Sequence, residues 1–268
     1  MTALTFQVEG IAFWAPTLPG WSTARAAFRG EGEAVDPPAK RPAPEILAPA
    51  ERRRAPDSVA LALEVASAAV RASGRDPATL ASVFTSAHGD LSVNDYMCST
   101  LAREPTAISP TRFHNSVHNA AAGYWTIATG CRAASSAVSA FDASFAAGLL
   151  EAATQCAADH GPVLLVAFDV PAVGALASIT QSDGLLATAI VVAPAGSRGG
   201  TQGPSFAARL APGPTRAAPL RSAAAQSLAG NAMADALPFL ELLAAGANGT
   251  LDLPLSRTLA LRLVVVAA

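Results

Sequence analysis

A layered α/β fold, built on a largely parallel sheet with helices over its faces, is the architecture that this 268-residue sequence predicts. Three observations carry it. Two short continuous apolar runs, Val163–Phe168 (VLLVAF) and Leu185–Ala193 (LLATAIVVA), have the length and content of strands covered on both sides. Helical periodicity between such runs gives the order strand, helix, strand, helix, strand, which implies parallel pairing. Hydrophobic residues make up 51% against 14% charged, with a mean hydropathy of +0.35, enough for a substantial core and for apolar surface that meets a partner.

From the N-terminus, Thr5–Ala12 alternates as a strand, and Pro16, Pro19 and Gly20 break it before a short helix over Ser22–Arg29. Trp14 and Trp21 flank that break as core aromatics. The proline-rich segment 30–56 reads as extended and irregular, with the basic triplet Arg52, Arg53 and Arg54 near its end. Asp57 is placed to cap a helix with the stripe Val59, Leu63, Ala66 and Val70, closed by Gly74 and Pro77. Leu80–Ser86 follows as a buried strand, then a loop at His88-Gly89 and a helix capped by Ser92.

The stretch Ile108–Ala158 is where chemistry is to be sought. It holds two of the four histidines, two of the three cysteines and Trp125 among small residues. Ser116–Thr129 reads as an alanine-rich helix stopped by Gly130, Ser135–Ala140 as a brief buried strand, and Ala143–Ala158 as a helix capped by Asp142. A strand running into a helix start is a favourable place for a nucleophile, because free N–H groups and the helix dipole stabilise negative charge there.

Past the central stretch, Gly196–Pro204 is a link whose GG-x-x-G lacks the strand and helix of a phosphate loop. A strand near Phe206–Leu210, helical segments near Leu220–Leu228 and Met233–Ala245, and a final strand Thr258–Val266 complete the chain.

The run Asn119, Ala122-Gly123, Thr126-Ile127, Gly130, then Ala137-Val138-Ser139 and a small-residue helix, resembles the N-terminal half of β-ketoacyl synthases of the thiolase fold. More narrowly, HNSVHNAAAGYW with SAFDASFAAGLLEA is similar to the short chain-length factors of aryl polyene (xanthomonadin-type) gene sets. The resemblance implies a thiolase-like layered α/β/α fold with mixed, largely parallel sheets and an abbreviated C-terminal half. On that reading residues 1–268 are one domain, with 1–195 corresponding to the N-terminal half and 205–268 to a shortened second half.

Carried over position by position, the family's small-Ala-Cys-Ala-Ser motif becomes Ala140-Phe141-Asp142-Ala143-Ser144. Asp142 stands in the nucleophile slot, and a carboxylate cannot act as the thioester-forming thiolate. The second half of such synthases supplies two histidines, whereas no histidine follows His160 here; Asn231 sits where one is expected. Both losses imply a non-catalytic subunit that pairs with an active ketosynthase, as a heterodimer served by an acyl carrier protein, and limits chain elongation. The alternative is a decarboxylase or acyltransferase acting on carrier thioesters through Ser139, Ser144 or Cys131. Cys131 reads as a structural thiol.

His114, Asn115, His118, Asn119, Tyr124, Trp125, Phe141 and Asp142 are the candidates for the partner interface or tunnel floor, together with the Ser92 helix. Arg52, Arg53 and Arg54 are candidates for docking an acidic carrier, or a solvated patch. His114 and His118, four apart, would share a helical face and permit a metal pair, but no third ligand accompanies them, so no metal and no cofactor is expected. Net charge −2 and pI near 6.1 give no field for nucleic acid. No run of eighteen apolar residues predicts a membrane span, and MTALTFQVEG shows no signal peptide. Three scattered cysteines fit a reducing cytoplasm.

Overall fold

The computed structural model describes residues 3–213 and 217–266. Its first half runs β1 (Leu4–Ala15), β2 (Leu18–Pro19), α1 (Trp21–Phe28), α2 (Pro49–Arg54), α3 (Asp57–Ser73), β3 (Ala81–Thr85), α4 (Leu91–Arg103), α5 (Pro110–His114), α6 (Ala120–Thr129), β4 (Ser135–Val138), α7 (Ser144–Asp159) and β5 (Val163–Asp169). The remainder is β6 (Leu186–Pro194), β7 (Ser205–Pro212), α8 (Ala223–Gln226), α9 (Leu237–Ala245), β8 (Thr250–Pro254) and β9 (Leu259–Val266).

All the strands join one sheet in the order β4-β3-β5-β6-β1-β7-β9-β8, with β2 paired to β1. The sheet is mixed. Parallel pairing holds where helices return the chain, at β4–β3 and β3–β5, while the other pairings are antiparallel. The parallel part is thus the end of the sheet that carries the central stretch.

Both faces of the sheet are covered. Along β5 the side chains of Val163, Leu165 and Ala167 enter a core shared with α7 and α9, and Leu164, Val166 and Phe168 enter one shared with α3 and α6. That two-sided burial is why β5 and β6 read as unbroken apolar runs in the sequence.

Several local expectations are corrected. Pro56, not Asp57, occupies the cap position of α3, and Asp57 instead meets Arg41 Nε at 3.0 Å. The segment expected to be irregular contains α2, favoured by Pro49 at its start, Glu51 in its first turn and Arg52–Arg54 in its last. Asp90, not Ser92, caps α4, accepting from the amides of Ser92 and Val93 at 3.1 Å. β4 is an exposed edge strand, not a buried one, because among the described residues only β3 pairs with it.

Candidate functional site

The C-terminal ends of the three parallel strands β4, β3 and β5 converge on one corner, the place where open α/β sheets offer their sites. β4 ends at Val138, a single 3-10 turn covers Phe141–Ala143, and α7 begins at Ser144. Because that turn intervenes, Asp142 lies too early to cap α7: its side chain is exposed and makes no hydrogen bond among the described residues.

Phe141 marks the bend. Its φ of 54° is left-handed, a strained conformation for a bulky side chain, and its ring is 57% exposed. The ring meets His88 edge to face at 5.4 Å. Ser144 holds the turn from inside, donating from Oγ to the Phe141 carbonyl at 2.7 Å and accepting from the Ala140 amide at 3.1 Å.

The first turn of α7 is closed by a residue that the sequence did not single out. Asp235 Oδ2 accepts from the Phe145 amide at 2.8 Å, and Oδ1 is buried without a partner among the described residues. Burial pushes this carboxyl up to about 8, against the pull of the amide and with the help of the negative field of Asp169. Asp169, at the end of β5, accepts from Ser86 Oγ at 2.7 Å and from the Ala87 amide at 2.9 Å; burial raises its carboxyl too, outweighing those bonds. The helix terminus that would steady an anion in the corner is therefore already filled from within the chain.

The histidines do not form a pair. A break at residues 115–119 separates α5 from α6, so the continuous helix from Ser116 is corrected: His114 ends α5 and His118 precedes α6. His118 Nε2 donates to the Ser86 carbonyl at 3.0 Å, while His114 lies edge-on to Tyr124 at 6.1 Å. Asn115 is buried and Asn119 exposed. Trp125 is 1% exposed, in the core between α6 and α3, which removes it from any partner surface.

Other candidates are committed elsewhere. Cys131 is buried and bonds through Sγ to the Leu80 carbonyl at 3.3 Å; Ser139 donates to the Ala87 carbonyl at 3.0 Å. Cys156 lies deep in α7, its thiol pushed by burial up to about 11. Asn231 donates to the carbonyls of Asp183 and Gly184 at 3.0 and 3.1 Å and so ties down a loop. Arg52 donates to the Leu47 carbonyl at 2.9 Å, leaving Arg53 and Arg54 as the exposed members of the triplet.

A sequence profile described as "Beta-ketoacyl synthase, N-terminal domain" matches residues 21–250. The chain belongs to the β-ketoacyl synthase family. Among solved structures, it is similar to the ketosynthase ApeO in complex with its chain length factor ApeC from Xenorhabdus doucetiae. That match has 24% identity and a TM-score of 0.73, over 97% of this chain and 99% of that one. The ishigamide ketosynthase/chain length factor gives 14% identity and a TM-score of 0.72, over 98% of this chain and 100% of that one. A β-ketoacyl synthase from Burkholderia phymatum gives 12% and 0.61, over 79% and 65%. At these identities the shared property is the fold. No curated protein matches the chain in sequence.

The β-ketoacyl synthase fold thus presents its strand-to-helix corner with an aromatic ring and a free carboxylate outside and a buried carboxyl inside. Apolar side chains also stand on the surface of the preceding helices: Leu101 of α4, Phe113 of α5, Val117, and Ile127 of α6 are all at least half exposed. Phe113, Val117 and Ile127 line a groove of about 580 Å³ that Leu47 and Arg54 border. No helix among the described residues is long and apolar enough to cross a membrane.

Proposed function

We propose that this chain is a non-catalytic chain-length factor that pairs with an active ketosynthase and sets where acyl elongation stops, in aryl polyene-type pigment synthesis. The observation that carries this reading is the corner at α7, where Asp142, in the slot that the family resemblance gives to the cysteine, stands exposed beside the strained Phe141, and Asp235 occupies the helix N-terminus. No acyl thioester can form on a phenyl ring, and an exposed carboxylate gives no thioester intermediate. The hydroxyls of Ser139 and Ser144, both spent on backbone carbonyls, support this over acyl transfer or carrier-thioester decarboxylation.

The partner surface in this reading is the open edge of β4 with the exposed apolar side chains of α4, α5 and α6. His114, Asn119, Tyr124, Phe141 and Asp142 belong to it, and Arg53 and Arg54 provide the carrier contact beside the groove. Residues 1–195 and 205–268 correspond to the family's two halves, the second abbreviated. The relatives described as ketosynthase/chain length factor complexes lend the pairing its precedent.

Co-expression with a ketosynthase from the same gene set, followed by size-exclusion chromatography and analysis of product length in a reconstituted system, tests this. A stable heterodimer that shifts the product distribution is expected. A monomer that leaves product length untouched would refute the assignment.

A further inference from the structure

On the face of the sheet that carries α3, away from the α7 corner, lies a cleft of about 650 Å³, within the range of small-molecule sites. Two of the chain's three tryptophans line it, Trp14 from the end of β1 and Trp125 from α6, with Ile46 of the preceding segment. Along α3, Glu64, Ser67 and Arg71 also line it, at the i, i+3, i+7 spacing that puts them on one helical face. Two of these residues carry buried polar atoms without a partner among the described residues: Ser67 Oγ and Trp125 Nε1. Buried donors are normally satisfied, so their joint occurrence in the lining of one cleft is a feature to be explained. Burial also holds the Glu64 carboxyl above its usual range, although Arg71 opposes this and Glu45 adds to it.

We infer that this cleft binds a small hydroxyl-bearing aromatic molecule, of the phenol or naphthol class. Trp14 and Trp125 border the cleft with little of their indole surface open, 7% and 1% exposed, so a flat ring would meet them by edge contacts rather than by stacking on an open face. The poorly hydrated Glu64 carboxylate is an acceptor for an aromatic O–H, and the oxygen that donates it can accept in turn from Ser67 or from the indole N–H after a small side-chain adjustment. The inference stands independently of the pairing proposed above, since none of these residues belongs to the corner or to the exposed patch.

The test uses 2-naphthol as the probe, titrated into the uniformly nitrogen-15-labelled chain while the three indole N–H resonances are followed. Trp14→Phe and Trp125→Phe variants assign the signals. Trp21, on α1 and outside this cleft, is the internal control. Saturable shifts of the Trp14 and Trp125 resonances with Trp21 unmoved are expected, and Glu64→Gln should weaken binding about tenfold, the loss of one hydrogen bond to a charged acceptor. Glu64 is only partly buried, so this variant keeps the fold. Absence of saturable shifts, equal movement of Trp21, or unchanged affinity in Glu64→Gln would overturn the inference.

Discussion

Asp235 and Phe145 are ninety residues apart in the chain, yet the Asp235 carboxyl Oδ2 accepts the Phe145 amide proton at 2.8 Å and thereby caps α7 from outside. The carboxyl is pushed up by burial to about 8, whereas in the unfolded chain it titrates near 3.8. Between those values the folded state keeps a proton that the unfolded state releases. This group's contribution to stability is therefore fully present below about pH 4 and declines as pH rises towards 8, by at most about 1.4 kcal/mol per pH unit.

Asp235→Asn keeps an oxygen to accept from Phe145 and removes the titration. Its thermal midpoint, measured by calorimetry or circular dichroism, should gain on the wild type steadily between pH 5 and pH 8 and level off above that. A constant difference across this range would show that Asp235 titrates normally.

Phe141 should separate stability from pairing. Its φ of 54° is strained for any side chain with a Cβ, and its ring is mostly in solvent. Phe141→Gly should therefore be more stable than Phe141→Ala by about 1 kcal/mol, the cost of the left-handed backbone. If the ring anchors a partner, both variants should weaken the ketosynthase complex alike. Comparing denaturation midpoints with pull-down yields distinguishes the two effects.

Much of the fold is legible in the sequence because burial on two sides leaves unbroken apolar runs, as in β5 and β6, and because Gly74 and Gly130 stop α3 and α6 in the left-handed conformation that glycine favours. Non-local facts are not legible. Nothing in Ser135–Val138 says that the strand has a neighbour on one side only, and nothing near Asp235 announces that its carboxylate reaches α7. The break between α5 and α6 is not legible because Ser116-Val117-His118-Asn119 carries neither glycine nor proline to separate it from the alanine-rich run that begins at Ala120. The backbone strain at the corner, at Phe141 next to Asp142, has no signal of its own in the sequence. β8 is hard to read because its alternation, Leu251 and Leu253 inward about Asp252, spans only five residues and ends in Pro254.

Glu9 and Arg75 form the most enclosed ion pair among the described residues, bidentate at 2.7 Å for both bonds, with the Glu9 side chain inaccessible to solvent. Burial alone would raise the Glu9 carboxyl, but Arg75, Gln7 and Ser197 outweigh it and hold it below its usual range. Its contribution is present above the unfolded value and is lost as pH falls through the folded one. Arg75→Ala should cost about 3–5 kcal/mol at pH 7 by leaving a buried charge alone, and less at acidic pH, because burial without the guanidinium lets the Glu9 carboxyl take up a proton. Urea denaturation at neutral and at acidic pH checks this.

The arginine triplet should divide into two kinds. Arg52 is bound to the carbonyl of Leu47, so Arg52→Glu should lower the thermal midpoint without informing on carriers. Arg53→Glu with Arg54→Glu, both exposed, should leave stability within about 0.5 kcal/mol. If these two contact an acidic carrier protein, the pair should weaken its binding and flatten the salt dependence. Titration calorimetry at two salt concentrations gives both readouts; unchanged binding would leave the patch merely solvated.

Ile127 offers the sharpest test of the partner surface. It is 77% exposed on α6, whose inward face buries Ala121, Ala122 and Trp125, so the fold does not depend on its side chain. Ile127→Glu should shift the isolated chain's stability by no more than about 0.5 kcal/mol. In a heterodimer that covers α6, the same change buries a carboxylate without a partner, a cost that no rearrangement of two packed helices readily relieves. The complex should then fail to co-elute on size-exclusion chromatography while the variant alone elutes and melts as the wild type does. Val117→Glu, half exposed just before the same helix, should behave alike if the contact extends along α6. Retention of the complex by both variants would place the ketosynthase on another face.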